Sequence, residues 1–177
     1  KGRTNILENY AQVIETKNAK TGRKKRVQVF PRYHQLGVVR QTLKHVATNG
    51  AGARYLIQHS AGSGKSNSIA WLAHQLIALK RDKKEIFDSV IVVTERRILD
   101  DQIQKTVQQF MQVGATVGHA ENSGDLRKFI EEGKKIIIST VQKFPFILSE
   151  IEKEEKAKTF AIIIDEAHSS QGGKTSS

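Results

Sequence analysis

From residue 34 onward the apolar positions alternate between two rhythms. Leu36, Val39, Leu43 and Val46 recur three and four residues apart, which predicts one buried helical face of about three turns. Asn49-Gly50-Ala51-Gly52 breaks that helix, and Tyr55-Leu56-Ile57 reads as a short buried strand. A glycine loop follows, and then Ile69, Leu72, Ala73, Leu76 and Ile77 restore the helical spacing. Val90-Ile91-Val92-Val93 is a β-branched run of the kind that forms a fully buried strand. Leu99, Ile103, Val107 and Phe110 predict another helix, and Leu126, Phe129 and Ile130 a short one. Ile136-Ile137-Ile138 and Ile162-Ile163-Ile164 add two strands. Apolar strands alternating with amphipathic helices imply an α/β fold, a parallel sheet flanked by helices on both faces. In such a sheet, ligands sit at the carboxyl ends of the strands.

Residues 1–31 lack this alternation. A short apolar pattern at Ile6, Leu7, Tyr10, Val13 and Ile14 leads into Lys17, Lys20, Arg23, Lys24, Lys25 and Arg26, so this stretch reads as a connector or arm preceding a domain at 32–177. The chain begins with lysine and ends Gly172-Gly173-Lys174-Thr175-Ser176-Ser177 shortly after a motif, and both ends read as cuts. No run approaches the roughly 18 apolar residues of a membrane span and no segment here suggests a signal peptide, so a soluble, cytoplasmic protein with no membrane partner is the expectation. The sequence has no cysteine, so disulfides and thiolate zinc sites are excluded and a metal would bind through oxygen. Lysine and arginine number 29 against 18 acids, a net +11 that points to a polyanionic partner. Aromatic residues make up only 6%, too few for a base-stacking platform, so phosphate contacts should dominate.

Two segments carry chemistry. His59-Ser60-Ala61-Gly62-Ser63-Gly64-Lys65-Ser66 stands where a loop should enter a helix, and it matches the end of a phosphate-binding loop, with His59 where the first glycine is usual. Gly62 and Gly64 let successive amides turn inward, the helix adds its positive amino end, and Lys65 reaches the outer phosphates of ATP. Ser66 offers its hydroxyl to magnesium. One hundred residues on, Ile162-Ile163-Ile164-Asp165-Glu166-Ala167-His168 ends a strand in two carboxylates and an imidazole. Asp165 is then placed to hold Mg2+, and Glu166 to polarise an attacking water. Taken alone, the acids could be a strand's solvated end and His168 a hydrogen-bonded loop residue.

Asp165-Glu166-Ala167-His168 together with the glycine loop resembles the first RecA-like lobe of superfamily 2 helicases and translocases. Arg32-Tyr33-His34-Gln35, Val93-Thr94-Glu95-Arg96-Arg97-Ile98-Leu99-Asp100-Asp101-Gln102, Ser139-Thr140-Val141-Gln142-Lys143-Phe144 and Asp165-Glu166-Ala167-His168-Ser169-Ser170-Gln171 look like the motor part of type I restriction enzyme R subunits, over roughly residues 27 to 172. The resemblance implies that Arg32 and Gln35 sit at the nucleotide, with Gln35 recognising adenine. It implies that Ser60, Ala61, Gly62, Ser63, Gly64, Lys65 and Ser66 cradle the phosphates, that Lys65 and Glu166 are catalytic, and that His168 couples the centre to motion. Arg96, Ser139 and Thr140 match segments that face a nucleic-acid backbone; from the residues alone, Arg96 could be a surface arginine and Thr140 a helix cap. The implied function is ATP-driven translocation on double-stranded DNA alongside modification and specificity subunits. Neither the second lobe with its arginine fingers nor a nuclease is recognisable, so little turnover by this piece alone is the expectation. A DNA-repair or RNA helicase, or a nucleotide-dependent interaction module without turnover, would share the ATP residues.

Overall fold

The computed structural model describes residues 11–17, 22–60, 62–94, 106–107, 117–120, 122–143, 145, 149 and 158–165. In chain order the elements are β1 (Gln12–Lys17), β2 (Lys24–Val29), α1 (Tyr33–Asn49), α2 (Lys65–Ala78), β3 (Lys80–Arg81), β4 (Lys84–Glu85), β5 (Ser89–Thr94), β6 (Val117–His119), α3 (Ser123–Glu131), β7 (Ile136–Thr140), a 3-10 turn (Val141–Lys143) and β8 (Phe160–Ile164). Strands β6, β7, β5 and β8 lie side by side in that order, all parallel.

Alternation along each strand sends successive side chains to opposite faces, and each face has its own cover. Val90 and Val92 of β5, with Ile136 and Ile138 of β7, pack beneath Trp71, Leu72 and Leu76 of α2 and Val39 and Val46 of α1. Ile91, Val93 and Ile137 face the other way, against Phe129 and Ile130 of α3 and Phe160. The sheet therefore has helices on both faces, the architecture its apolar rhythm implied. Complete burial of side chains such as Trp71, Ile91 and Ile138 contributes about 1.5–3 kcal/mol each.

Local chemistry sets the boundaries. Helix α1 starts where the backbone N–H of Arg32 donates to Gln35 Oε1 at 2.8 Å, and it ends at Gly50, whose φ of 78° and N–H bond to the Val46 carbonyl close the last turn. Helix α3 opens on Asn122, whose side chain accepts from the Asp125 amide at 2.9 Å while the Asp125 carboxylate accepts from the Asn122 amide at 3.1 Å. Between β3 and β4, Asp82 and Lys83 both take positive φ, the backbone of a two-residue hairpin turn.

Three places depart from the sequence reading. Tyr55-Leu56-Ile57 forms no strand: residues 52–60 carry no regular structure, and Leu56 is 92% exposed. Among the described residues the segment has no ladder partner, and the Tyr55 hydroxyl shares a 2.7 Å hydrogen bond with His45 Nδ1 of α1. Among the described strands β8 accordingly lies at the edge, with Ile162 and Ile164 partly exposed. Residues within the arm form an antiparallel hairpin, β1 with β2, and Val29 at its end packs against the core. Strand β6 was not anticipated at all. The helix expected on Leu99, Ile103, Val107 and Phe110 lies outside the described residues except at Thr106 and Val107, which are helical.

Candidate nucleotide-binding site

The glycine loop meets α2 at Gly64, which stands at the helix N-cap in the left-handed conformation, φ 82° and ψ 40°. A Cβ there would lie 2.6 Å from Gln35 Nε2, so both conformation and space demand glycine. Gly62 is also left-handed, φ 71°, but open space surrounds it. No side chain caps α2 and no acid occupies its first turn, so the positive end of the helix faces the loop without a side-chain cap. The Ser63 amide donates to the Ser60 carbonyl at 3.2 Å, which closes the turn.

Helix α1 holds this loop from below. Gln35 Nε2 donates to the Ser63 carbonyl at 3.1 Å and to the Gly64 carbonyl at 2.9 Å. His34 Nε2 lies 3.1 Å from the same Ser63 carbonyl and must carry the proton there, because a carbonyl only accepts. Gln35 is 2% exposed, and its amide is engaged at both ends by Arg32, Ser63 and Gly64. The residue expected to read adenine thus has its amide turned to the loop. His34 was not singled out from sequence; its place beside Gln35, on the helix that braces the loop, was the available signal.

His59 packs edge-on against His34, ring centres 5.9 Å apart, with Nδ1 3.4 Å from Ser63 Oγ. Burial, then the neighbouring His34, then Lys65, push its pKa below the ordinary 6.5. The residue in the usual first-glycine position therefore leans on the loop.

The two motifs meet across the carboxyl edge of the sheet. Lys65 Nζ lies 3.6 Å from Asp165 Oδ1, an ion pair too long to be a hydrogen bond. The Asp165 amide donates to the Val93 carbonyl at 2.8 Å, extending the β5–β8 ladder one residue past the strand and fixing the carboxylate at the edge. Asp165 is 6% exposed and Lys65 about a third exposed, so a buried anion sits under a cation that reaches solvent. Ser66 is half-buried in the first turn of α2, Ser60 is exposed at the start of the loop, and Arg32 is exposed at the start of α1. Ser139 and Thr140 end β7 and are buried, at 0% and 4% exposure, and Ser139 Oγ has no hydrogen-bond partner. Ala61, Arg96, Glu166 and His168 lie outside the described residues.

A parallel α/β sheet with a glycine loop at a helix start, and a lysine paired to a strand-end aspartate, define an ATPase domain of helicase-like type. The chain belongs to the SWI2/SNF2 ATPase family, whose model matches residues 34–177. It is also similar to a Mycoplasma pneumoniae protein described as the C-terminal part of the endonuclease subunit of a type I restriction enzyme, MpnIIP, at 33% identity over 125 residues. That match takes in 67% of this chain and 57% of the relative, so the chain spans little more than half of the curated relative's length. Among the described residues, no helix is long and apolar enough to cross a membrane.

Proposed function

We propose that this chain is the ATP-binding lobe of an ATP-dependent double-stranded-DNA translocase in a type I restriction-modification complex, acting with modification and specificity subunits in the cytoplasm. The observation that carries the nucleotide reading is the Lys65–Asp165 pair, which brings the two motifs together beside an uncapped helix start. ATP phosphates would draw Lys65 away from Asp165 and settle against the loop amides from Ser60 to Ser66. Arg32, at the head of the bracing helix, would flank the nucleotide.

Asp165 and Ser66 offer hard oxygen donors, and no cluster of three or more His, Cys, Asp or Glu is present among the described residues. One carboxylate and one hydroxyl suit Mg2+, which takes its remaining ligands from phosphates and water. Bound there, magnesium would neutralise charge on the transferring phosphoryl group. In this reading the side chains do the rest: Lys65 holds the outer phosphates, Glu166 orients the attacking water, and His168 links that event to movement. Gln35 and His34 keep the loop in shape.

The +11 charge and Arg96 support backbone contact with nucleic acid, and the restriction-enzyme relative favours duplex DNA. Ser139 and Thr140, being buried, would shape the edge from beneath. Anisotropy titrations with duplex DNA, single-stranded DNA and RNA of equal length test the partner. The reading expects sequence-blind preference for the duplex with a steep loss of affinity in salt; stronger binding to RNA would contradict it.

A further inference from the structure

Thr94 ends β5, it is 0% exposed, and its Oγ1 is buried without a hydrogen-bond partner. A buried hydroxyl left unpaired costs about 1–3 kcal/mol, so a position that keeps one calls for an explanation. Its direction follows from the pleat. Val90 and Val92 point to the α2 side of the sheet, and Thr94, two residues further on, points the same way. On β8, Ala161 and Ile163 share that side, and so does Asp165. The register sets Val93 beside Ile164, and one step on it sets Thr94 beside Asp165, on strands about 4.8 Å apart. A second orphaned hydroxyl, Ser68 Oγ, lies buried on α2 one turn past Lys65. Unpaired buried hydroxyls thus stand on β5 and on α2, and a third, Ser139 Oγ, on β7.

We infer that Thr94 is a positioning residue of the metal centre, its hydroxyl bonding a water in the shell of the magnesium that Asp165 binds. This rests on the Mg-nucleotide reading above. Magnesium keeps several of its waters, and those waters need partners in the protein wall. Thr94 is placed for this: it neighbours the carboxylate, faces the same side and has its hydroxyl unspent. A threonine with only a packing role would be served as well by valine, which has the same shape and no group to satisfy.

The test titrates Mg2+ against a fixed concentration of fluorescent ADP bound to the whole chain, with thermal unfolding measured alongside without nucleotide. For Thr94→Val the half-saturating Mg2+ concentration should rise about tenfold while the unfolding temperature holds or increases. Thr94→Ala should show the same rise, and Thr94→Ser, which keeps the hydroxyl, should return the wild-type value. An unchanged Mg2+ requirement in Thr94→Val, or a rise shared equally by Thr94→Ser, would overturn the role. Wild-type chain that shows no magnesium-dependent nucleotide binding would overturn the nucleotide reading and this inference together, whereas failure confined to the Thr94 variants leaves the nucleotide reading standing.

Discussion

Lys65 and Asp165, one hundred residues apart in sequence, meet at 3.6 Å at the carboxyl edge of the sheet. Lys65 opens α2 and Asp165 follows the last residue of β8, so the pair depends on the helix packing over the sheet through Trp71, Leu72 and Leu76. With one partner about a third exposed, the pair contributes little to stability after solvent screening. Its importance is chemical, since it holds a cation and an anion ready for opposite partners.

Gln35 is the loop's main brace, and its loss should be felt before any nucleotide binds. Gln35→Ala removes donors to Ser63 and Gly64 and the acceptor for Arg32, and should cost about 1–3 kcal/mol in urea unfolding. Gln35→Glu should be worse near neutral pH, because a carboxylate would face two carbonyl oxygens. Both variants should weaken ATP and GTP binding alike, which separates a bracing role from adenine recognition in a competition titration.

Glycines 62 and 64 share a left-handed backbone but not their surroundings. Gly62→Ala should cost about 1–2 kcal/mol, the penalty of the conformation alone. Gly64→Ala adds a Cβ 2.6 Å from Gln35 Nε2 and must displace the brace, so it should lose more stability and most nucleotide affinity. Chemical unfolding of the two variants in parallel checks the order.

Acid should destabilise the fold through two histidines. Burial, with His34 and Lys65 adding to it, lowers the pKa of His59, and burial lowers that of His74. The unfolded chain then takes up protons at higher pH than the folded one, so the stabilisation is complete above the ordinary 6.5 and is lost as pH falls through the folded values. The unfolding temperature should therefore drop as pH falls below 6.5, and His59→Gln and His74→Gln should each flatten that drop.

Much of this was legible in the chain because period and burial coincide. The spacing of Leu36, Val39, Leu43 and Val46 located α1, and the β-branched runs located β5, β7 and β8. The glycine loop and Asp165 were readable because their residue types suit phosphate and metal. Tyr55-Leu56-Ile57 misled because an apolar triplet is a strand only when a neighbour pairs with it. Strand β6 was invisible because Gly118 sits mid-strand, where the Phe129 ring fills the space a Cβ would occupy. For β2, the alternation of Val27 and Val29 was a usable signal, masked by the basic run before it. The amide of Gln35 and the hydroxyl of Thr94 took their meaning only from contacts across the fold, which no local pattern encodes.

The most direct test of the central claim is calorimetric titration of ATP, with and without Mg2+, into this chain and its Lys65→Ala and Asp165→Asn variants. Saturable binding strengthened by magnesium in the wild type, loss of binding in Lys65→Ala, and binding without magnesium dependence in Asp165→Asn are the expected results. No binding by the wild type, or undiminished binding by Lys65→Ala, would contradict that claim.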